Sequence, residues 1–367
     1  MPCSVVIAGG GTGGHLYPGI AVAREIVARR PGARVSFAGT ARGLESRLVP
    51  REGFELDLIR SGGLKGKSAA DRARGLLLLP FGLFDAWRIL SKRRPQIVIG
   101  VGGYSSGPVV LMAALRGIPT LLLEQNAAPG LTNRLLAPFV GAAALTFETA
   151  RPFFGSKAFV SGNPVRQEFL DAAPVSGGPD AGREDVRILV FGGSQGAHAI
   201  NVAMVEAAPQ LAGDPSLRVS HQTGEQDVEM VRAAYRQAGL EASVEPFFYD
   251  MGRRLQQADL TVCRAGSTTL AELAAAGKAA ILVPLPTATD DHQRWNARAF
   301  VNQQAAVLVE QRELTGERLA AEILVLASDA TRRERMRERL AACARPDAAR
   351  IIVDRGLALA GVAGEAA

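Results

Sequence analysis

Three short apolar runs in this 367-residue chain each end in a glycine-rich turn followed by polar side chains. They read SVVIAGGGTGGHLYPG from Ser4, QIVIGVGGYSSGP from Gln96 and RILVFGGSQGAH from Arg187. Glycine lets backbone N–H groups close on a phosphate at the positive end of a following helix. One such turn is common. Three of them, the first and third about 180 residues apart, point to two nucleotide-type α/β domains acting on a phosphorylated ligand.

The first turn, Gly9 to Gly14, fits G-x-G-x-x-G, and a dinucleotide site is the immediate reading. That site needs an acid at the end of the second strand for the ribose. Here the second run ends Ala38-Gly39-Thr40-Ala41-Arg42. Arg42 suits only the extra phosphate of NADP, which leaves an NADP oxidoreductase open. His15 follows the turn directly. Just before a helix start, its ring borders the crevice above the strand ends, where an imidazole titrating near neutrality suits proton removal from a hydroxyl. A histidine satisfied by backbone is the plainer alternative.

In the second half, Cys263-Arg264-Ala265-Gly266-Ser267 passes from an apolar run into Thr268-Thr269-Leu270-Ala271-Glu272, a helix start. Ser267 is placed to cap, and the free N–H groups behind it suit a diphosphate. Glu272 lies about one and a half turns in, near enough to that end for ribose hydroxyls. A capped surface helix with a solvated glutamate is the alternative. Thr287 to Asn296, with His292 and Gln293, is a polar loop entering a helix; it suits sugar hydroxyls, or is simply a helix start. No Asp-x-Asp triplet occurs, so the metal clamp usual for nucleotide-sugar diphosphates is not visible. A helix N-terminus can instead stabilise a departing diphosphate. Neither metal nor cofactor is expected.

These residues must be positioned by alternating strands and helices. VVIA, VSFAG, LDLI, IVIG and TLLLE alternate with helical patterns near Pro18–Arg30, Glu45, from Ala69, and near Pro108. RILVF restarts the series, followed by LRVSHQ, ASVEPF, LTVC, AAILVP and AAVLV. Such alternation predicts doubly wound parallel sheets with helical crossovers. Pro18 is read as a first-turn proline. SGNPVR from Ser161, then a Pro/Gly-rich stretch, marks the seam, giving domains at 1–163 and 164–345. A last helical segment, 346–367, either stays with its neighbours or returns to the first domain.

Composition narrows the class. Three cysteines without paired spacing argue against a disulfide framework or a zinc site and fit a reducing cytoplasm. The N-terminus runs straight into a β run, leaving no room for a signal peptide, and no stretch reads as a membrane span. Charge is uneven: residues 1–163 carry 20 Lys and Arg against 9 acids, and the remainder 22 against 27. The first half therefore faces something anionic. Between Arg60 and Arg94, Lys65, Lys67, Arg72 and Arg88 are among nine cations surrounding the apolar Leu76, Leu79, Phe81, Phe84 and Trp87. Apolar insertion plus cation attraction holds peripheral proteins on anionic bilayers, each basic residue adding about 1 kcal/mol. Core leucines with a solvated cationic rim are the alternative. Nucleic acid is disfavoured, because no aromatic-interleaved basic motif accompanies the charge.

The assembled motifs resemble the MurG family, the UDP-N-acetylglucosamine:undecaprenyl-pyrophosphoryl-muramoyl-pentapeptide N-acetylglucosaminyltransferases of bacterial cell-wall synthesis. GGGTGGHLYPG, GGYSSGP, EQNAAPGLTNR, GNPVR, GGSQGAHAIN, HQTGEQD, CRAGSTTLAELAAAG and DDHQRWNA recur in order over nearly the whole chain. The resemblance implies a GT-B glycosyltransferase of two Rossmann-like domains with its active site in the cleft. It implies UDP-sugar contacts at Thr12, Gly13, Gly14, Asn126, Arg166 and Ser194, at Ser267 to Glu272 with Glu272 on the ribose, and at His292 and Gln293. Phe248 is implied against the uracil. His15 is implied as the base, with Glu124 and Tyr104 in contention. PFFYDM replaces the commoner FIDDM type, and Leu123 stands where a histidine often precedes EQN.

The implied reaction is inverting transfer of N-acetylglucosamine to the acceptor 4-hydroxyl at the cytoplasmic membrane face, with other cell-wall synthesis proteins as partners. A GT-B relative such as a UDP-N-acetylglucosamine 2-epimerase or another glycolipid transferase, and a non-catalytic lipid-pyrophosphate-binding scaffold, remain as alternatives.

Overall fold

The computed structural model describes residues 3–62, 69–170, 185–193 and 195–362, with backbone alone at 69–76. Two compact units emerge, Met1–Arg166 together with Arg345–Ala367, and Gln167–Ala344.

In the first unit seven strands, β1 (Ser4–Gly9), β2 (Arg34–Gly39), β3 (Glu55–Leu58), β4 (Ile97–Gly102), β5 (Thr120–Glu124), β6 (Ala142–Leu145) and β7 (Ala158–Val160), form one parallel sheet ordered β3-β2-β1-β4-β5-β6-β7. Its helices are α1 (Gly13–Arg29), α2 (Glu45–Arg51), α3 (Ala69–Arg93), α4 (Ser106–Leu115) and α5 (Leu131–Leu136). The strands read as unbroken apolar runs because both faces of a parallel sheet are covered. Alternation sends Val5 and Ile7 to one core with Ile20, Ile26, Ile97 and Ile99, and Val6 and Ala8 to the other with Leu90, Val98 and Val109. Strands β6 and β7 were not among the expected runs. Strand β6 is Ala142-Ala143-Ala144-Leu145, and burial makes a strand of this poor strand former; β7, Ala158-Phe159-Val160, is only three residues long.

The second unit holds α6 (Gln167–Leu170), β8 (Val186–Phe191), α7 (His198–Leu211), β9 (Leu217–Gln222), α8 (Val228–Ala238), β10 (Ala242–Glu245), α9 (Met251–Gln257) and β11 (Leu260–Cys263). It continues with α10 (Ser267–Ala276), β12 (Ala279–Leu282), α11 (His292–Val301), β13 (Val307–Leu308), α12 (Gly316–Ser328) and α13 (Ala330–Ala342). Its parallel sheet runs β10-β9-β8-β11-β12-β13. Ile188, Val190, Leu217 and Val219 pack with residues of α7, α8 and α12 such as Met204, Val231 and Ile323.

The last helix, α14 (Ala348–Leu359), packs on α1 and adds Ile352, Val353 and Leu357 to the first unit's core. Each such buried side chain is worth about 1.5–3 kcal/mol. Residues 164–166 and 345 also belong to this unit. Helix α1 starts at Gly13, earlier than its periodicity indicates, so Pro18 sits inside it rather than in its first turn. The glycine turn itself winds that first turn, with His15 and Leu16 N–H donating to Thr12 O.

Both sheets have the order 3-2-1-4-5-6 at their centre, which places a topological switch point between β1 and β4 and another between β8 and β11. The candidate residues gather on the loops at the carboxyl ends of these strands, where open α/β sheets bind ligands.

Candidate active site

At the first switch point the turns after β1 and β4 touch through backbone. Gly103, at φ +78°, faces Gly10 O so closely that a Cβ would come within 2.5 Å of it. Thr12 is the N-cap of α1, and its hydroxyl makes no cap bond, lying instead 3.2 Å from His15 Nδ1. The half-buried His15 ring rests over Gly102, where a Cβ would approach its Cδ2 to 2.7 Å. Tyr104 is 40% exposed beside Gly11, with Ser61 Oγ donating to its carbonyl. Thr12, Gly13, Gly14, His15 and Tyr104 therefore do share one corner. Arg166 lies in the same unit, its guanidinium 4.5 Å from the Tyr17 ring centre.

Glu124, ending β5, is fully buried. Its Oε1 accepts from Asn126 N–H at 3.0 Å and Asn126 Nδ2 at 3.4 Å. Its Oε2 accepts from Gly130 N–H at 3.1 Å and Asn133 Nδ2 at 2.9 Å. Burial pushes its carboxyl up to about 7, against the pull of those donors. Both oxygens are occupied in folding the Gln125–Gly130 loop, an arrangement that suits holding Asn126 rather than taking a proton from a bound hydroxyl.

The second unit's turn is bound to its neighbour in the same way. Gly196, at φ +75°, meets Thr223 O where a Cβ would be only 1.8 Å away. Ser194 lies outside the described residues. Gln222 Nε2 donates to Gly193 O and its Oε1 accepts from Phe248 N–H, both at 2.8 Å. The Phe248 ring is 2% exposed and lies 3.8 Å beneath the Arg254 guanidinium. The Phe248 ring is thus core, and its N–H is engaged within the protein. Tyr249, 85% exposed, is the open aromatic of this segment.

Across the second switch point, Gly266 rather than Ser267 is the N-cap of α10, with no side-chain cap bond. Ser267 is the first helical residue, so its hydroxyl is not the cap. Ser267, Thr268 and Glu272 are buried and lie along the first turns with Thr269, Leu270 and Ala271. Gln293 ties two loops together: its Oε1 accepts from Leu285 N–H at 3.0 Å and Ala265 N–H at 3.3 Å. His292 Nδ1 is 2.6 Å from Thr289 O, at a kink where Asp290 and Asp291 take φ +57° and +54°. Arg264, missed as a site residue, donates to Val283 O, Pro284 O and Gln311 Oε1, bracing the same loops. No group of metal-ligating side chains occurs among the described residues.

On the first unit's surface, α3 exposes Leu77 (72%), Phe81 (52%), Phe84 (53%) and Trp87 (49%), with Phe84 and Trp87 stacked at 6.1 Å. Leu79 is partly exposed and Arg88 exposed. Lys65 and Lys67 lie outside the described residues, as do the side chains of Arg72 and Leu76. No helix among the described residues is long and apolar enough to cross a membrane.

Residues 5–145 match the model of the glycosyltransferase family 28 N-terminal domain and residues 187–351 that of the family 28 C-terminal domain. A UDP-N-acetylglucosamine--N-acetylmuramyl-(pentapeptide) pyrophosphoryl-undecaprenol N-acetylglucosamine transferase of Anaeromyxobacter sp. (strain Fw109-5) is 51% identical over 352 residues, 95% of this chain and 92% of that protein. The transferase of that name from Pelobacter propionicus is 48% identical over 370 residues, 95% and 98% of the two chains. The crystal structure of Acinetobacter baumannii MurG superposes with a TM-score of 0.80 at 32% identity, covering 97% of this chain and all of that one. A UDP-N-acetylglucosamine 2-epimerase, at TM-score 0.68 and 13% identity, shares the fold alone. With the GT-B architecture and both family models matched in order along it, the chain belongs to the MurG family of glycosyltransferases, within glycosyltransferase family 28.

Proposed function

We propose that this enzyme transfers N-acetylglucosamine from UDP-N-acetylglucosamine to the 4-hydroxyl of undecaprenyl-pyrophosphoryl-N-acetylmuramoyl-pentapeptide, with inversion at the anomeric carbon. The observation that carries the reading is the likeness to enzymes of that name over 95% of the chain. The second unit takes the donor. The uncapped start of α10 receives the diphosphate and stabilises the charge that develops on departing UDP. Glu272 meets the ribose, the Phe248 carbonyl the uracil edge, and His292 and Gln293 the sugar hydroxyls. Ser194, Asn126, Arg166 and the Thr12–Gly14 turn complete the substrate contacts.

The first unit takes the acceptor. His15 accepts the proton of the 4-hydroxyl as its oxygen bonds to the anomeric carbon and the bond to UDP breaks. Tyr104 borders the same corner, and Glu124 holds the loop that carries Asn126. The basic first half and the apolar face of α3 hold the protein on the anionic cytoplasmic face of the membrane, where the acceptor lies and other cell-wall synthesis proteins would be met.

The test is transfer of labelled N-acetylglucosamine from the UDP-sugar to the lipid-linked acceptor in the presence of EDTA. Acceptor-dependent β-linked product is expected. Donor binding without transfer would favour an epimerase-like or scaffold protein, and absence of UDP-sugar binding would overturn the reading.

A further inference from the structure

Glu45, absent from the sequence-derived site, is 1% exposed and lies against the first glycine turn. Its Oε2 accepts from Gly11 N–H at 2.8 Å. Its Oε1 accepts from Thr40 N–H and from Thr40 Oγ1, each at 2.8 Å. Three glycines surround the carboxylate: a Cβ at Gly10 would come within 2.4 Å of Glu45 Cδ, at Gly39 within 2.6 Å of Cγ, and at Gly43 within 2.1 Å of Oε2. The end of β2, the start of α2 and the turn after β1 have thus all been kept free of side chains to admit one carboxylate. In a glycine-rich turn of this kind the Gly11 amide would be a phosphate donor. Here its partner is an anion belonging to the chain.

We infer that Glu45 is a positioning residue for His15, an internal carboxylate standing in for a bound phosphate at the Gly11 amide and holding the turn in one shape. Gly11 adjoins Thr12, the cap of α1, and the Thr12 hydroxyl lies 3.2 Å from His15 Nδ1. The geometry connects Glu45 to the imidazole through one amide, one residue and one side-chain contact. Specificity follows as well. With Gly11 N–H occupied and a negative charge beside it, the G-x-G-x-x-G turn has no seat there for a dinucleotide pyrophosphate, which removes the oxidoreductase reading that its spacing invites. Burial works against the charge, but the N–H groups of Gly11, Thr40 and Glu45 itself and the Thr40 hydroxyl outweigh it, and the carboxyl stays below its ordinary range. The carboxylate is ionised where the enzyme works.

The inference rests on the proposed role of His15, so the experiment has two readouts. Glu45→Gln sets an NH2 group against either Gly11 N–H or the Thr40 donors. Gly10→Ala expels the carboxylate by contact, and Thr40→Val removes only the hydroxyl bond. In the transfer assay, normalised to folded protein, Glu45→Gln and Gly10→Ala are expected to lower kcat about 10²-fold, the scale of a misplaced catalytic group, with donor KM within about twofold. Thr40→Val is expected to stay within about threefold of the parent, since both N–H bonds remain. Independently of activity, the His15 ring resonances in the NMR spectrum are expected to shift in the first two variants and not in Thr40→Val. Unchanged His15 resonances together with parental kcat per folded molecule in Glu45→Gln would overturn the inference. Shifted resonances with no transfer even by the parent protein would instead overturn the reaction assigned above and leave the positioning role standing.

Discussion

The side-chain amide of Gln222 and the backbone N–H of Phe248 form a 2.8 Å hydrogen bond that joins the loops after β9 and β10. The other end of the same amide donates to Gly193 O after β8. One buried side chain therefore sets the spacing of three loops at the donor-side switch point. Gln222→Ala leaves the buried Phe248 N–H without its partner, while Gly193 O keeps the Gly196 N–H, and is expected to cost about 1–3 kcal/mol in denaturant unfolding. It is also expected to raise the Kd for UDP by about tenfold, because the loops lose their common tie. Calorimetric titration of the variant with UDP checks this; an unchanged Kd would mean the loops are set without it.

Glu124 gives a pH dependence with a definite sign. Its carboxyl is raised from an ordinary 4.5 to about 7 by burial. The folded chain then keeps a proton that the unfolded chain has released, so this group's stabilisation is present below about pH 4.5 and is lost as pH rises through 7. Activity moves the other way, since a proton on either oxygen displaces a loop donor. An acid limb near pH 7 in kcat/KM is expected, absent from Glu124→Gln, whose activity is about tenfold lower at every pH. A limb that persists unchanged in the variant would assign it to another group.

His221 titrates in the opposite sense. Buried, it is pushed down from 6.5 to about 3, with Nδ1 2.8 Å from the Tyr235 hydroxyl and Nε2 3.0 Å from Asn201 Oδ1. Asn201 Nδ2 is engaged by Thr223 O and Asp227, which leaves its oxygen toward the ring and assigns the imidazole proton to Nε2. Its contribution is complete above pH 6.5 and is lost as pH falls toward 3. Urea midpoints measured from pH 7 to 4 are expected to fall, and to fall less steeply in His221→Gln. Parallel slopes for the two proteins would count against this assignment.

The α3 face carries the membrane prediction. Phe81→Ser with Phe84→Ser removes two half-exposed rings, one under Arg60 and one stacked on Trp87. Folding stability is expected to fall by about 1–3 kcal/mol, and binding is compared per folded molecule. Binding to vesicles containing anionic lipid is expected to weaken about tenfold or more, as loss of roughly 1.4 kcal/mol of apolar burial requires. Sedimentation with vesicles measures it, and Trp87, stacked on Phe84, reports contact by fluorescence. Equal binding by the double variant would leave charge alone as the attraction.

Much of the fold is legible in the chain because a covered parallel strand must be apolar throughout, and VVIA, IVIG and RILVF have few other uses. The alanine-rich β6 and the three-residue β7 carry no such signal; pairing with their neighbours makes them strands. Site residues that announce themselves by type, such as His15 and the 267–272 helix start, fall on the carboxyl ends of their sheets. That the Phe248 ring is core could not be read from the sequence, since its cover by Arg254 is a contact that only folding makes. Glu45 was passed over because a glutamate at a helix start is ordinary, and its three glycines come from separate segments.

By itself the sequence determined the two α/β units, the glycine turns, the basic and apolar α3 stretch and, through ordered motifs, the family. Those properties are local: period, spacing and residue type are written along the chain. Only the tertiary structure decided that Glu45 fills the first turn, that Glu124 serves a loop, that Gln222 ties three others, and that α14 closes the first unit's core. Each depends on atoms that folding brings together from distant positions, and whether a buried carboxylate is a base or a brace depends on which donors surround it.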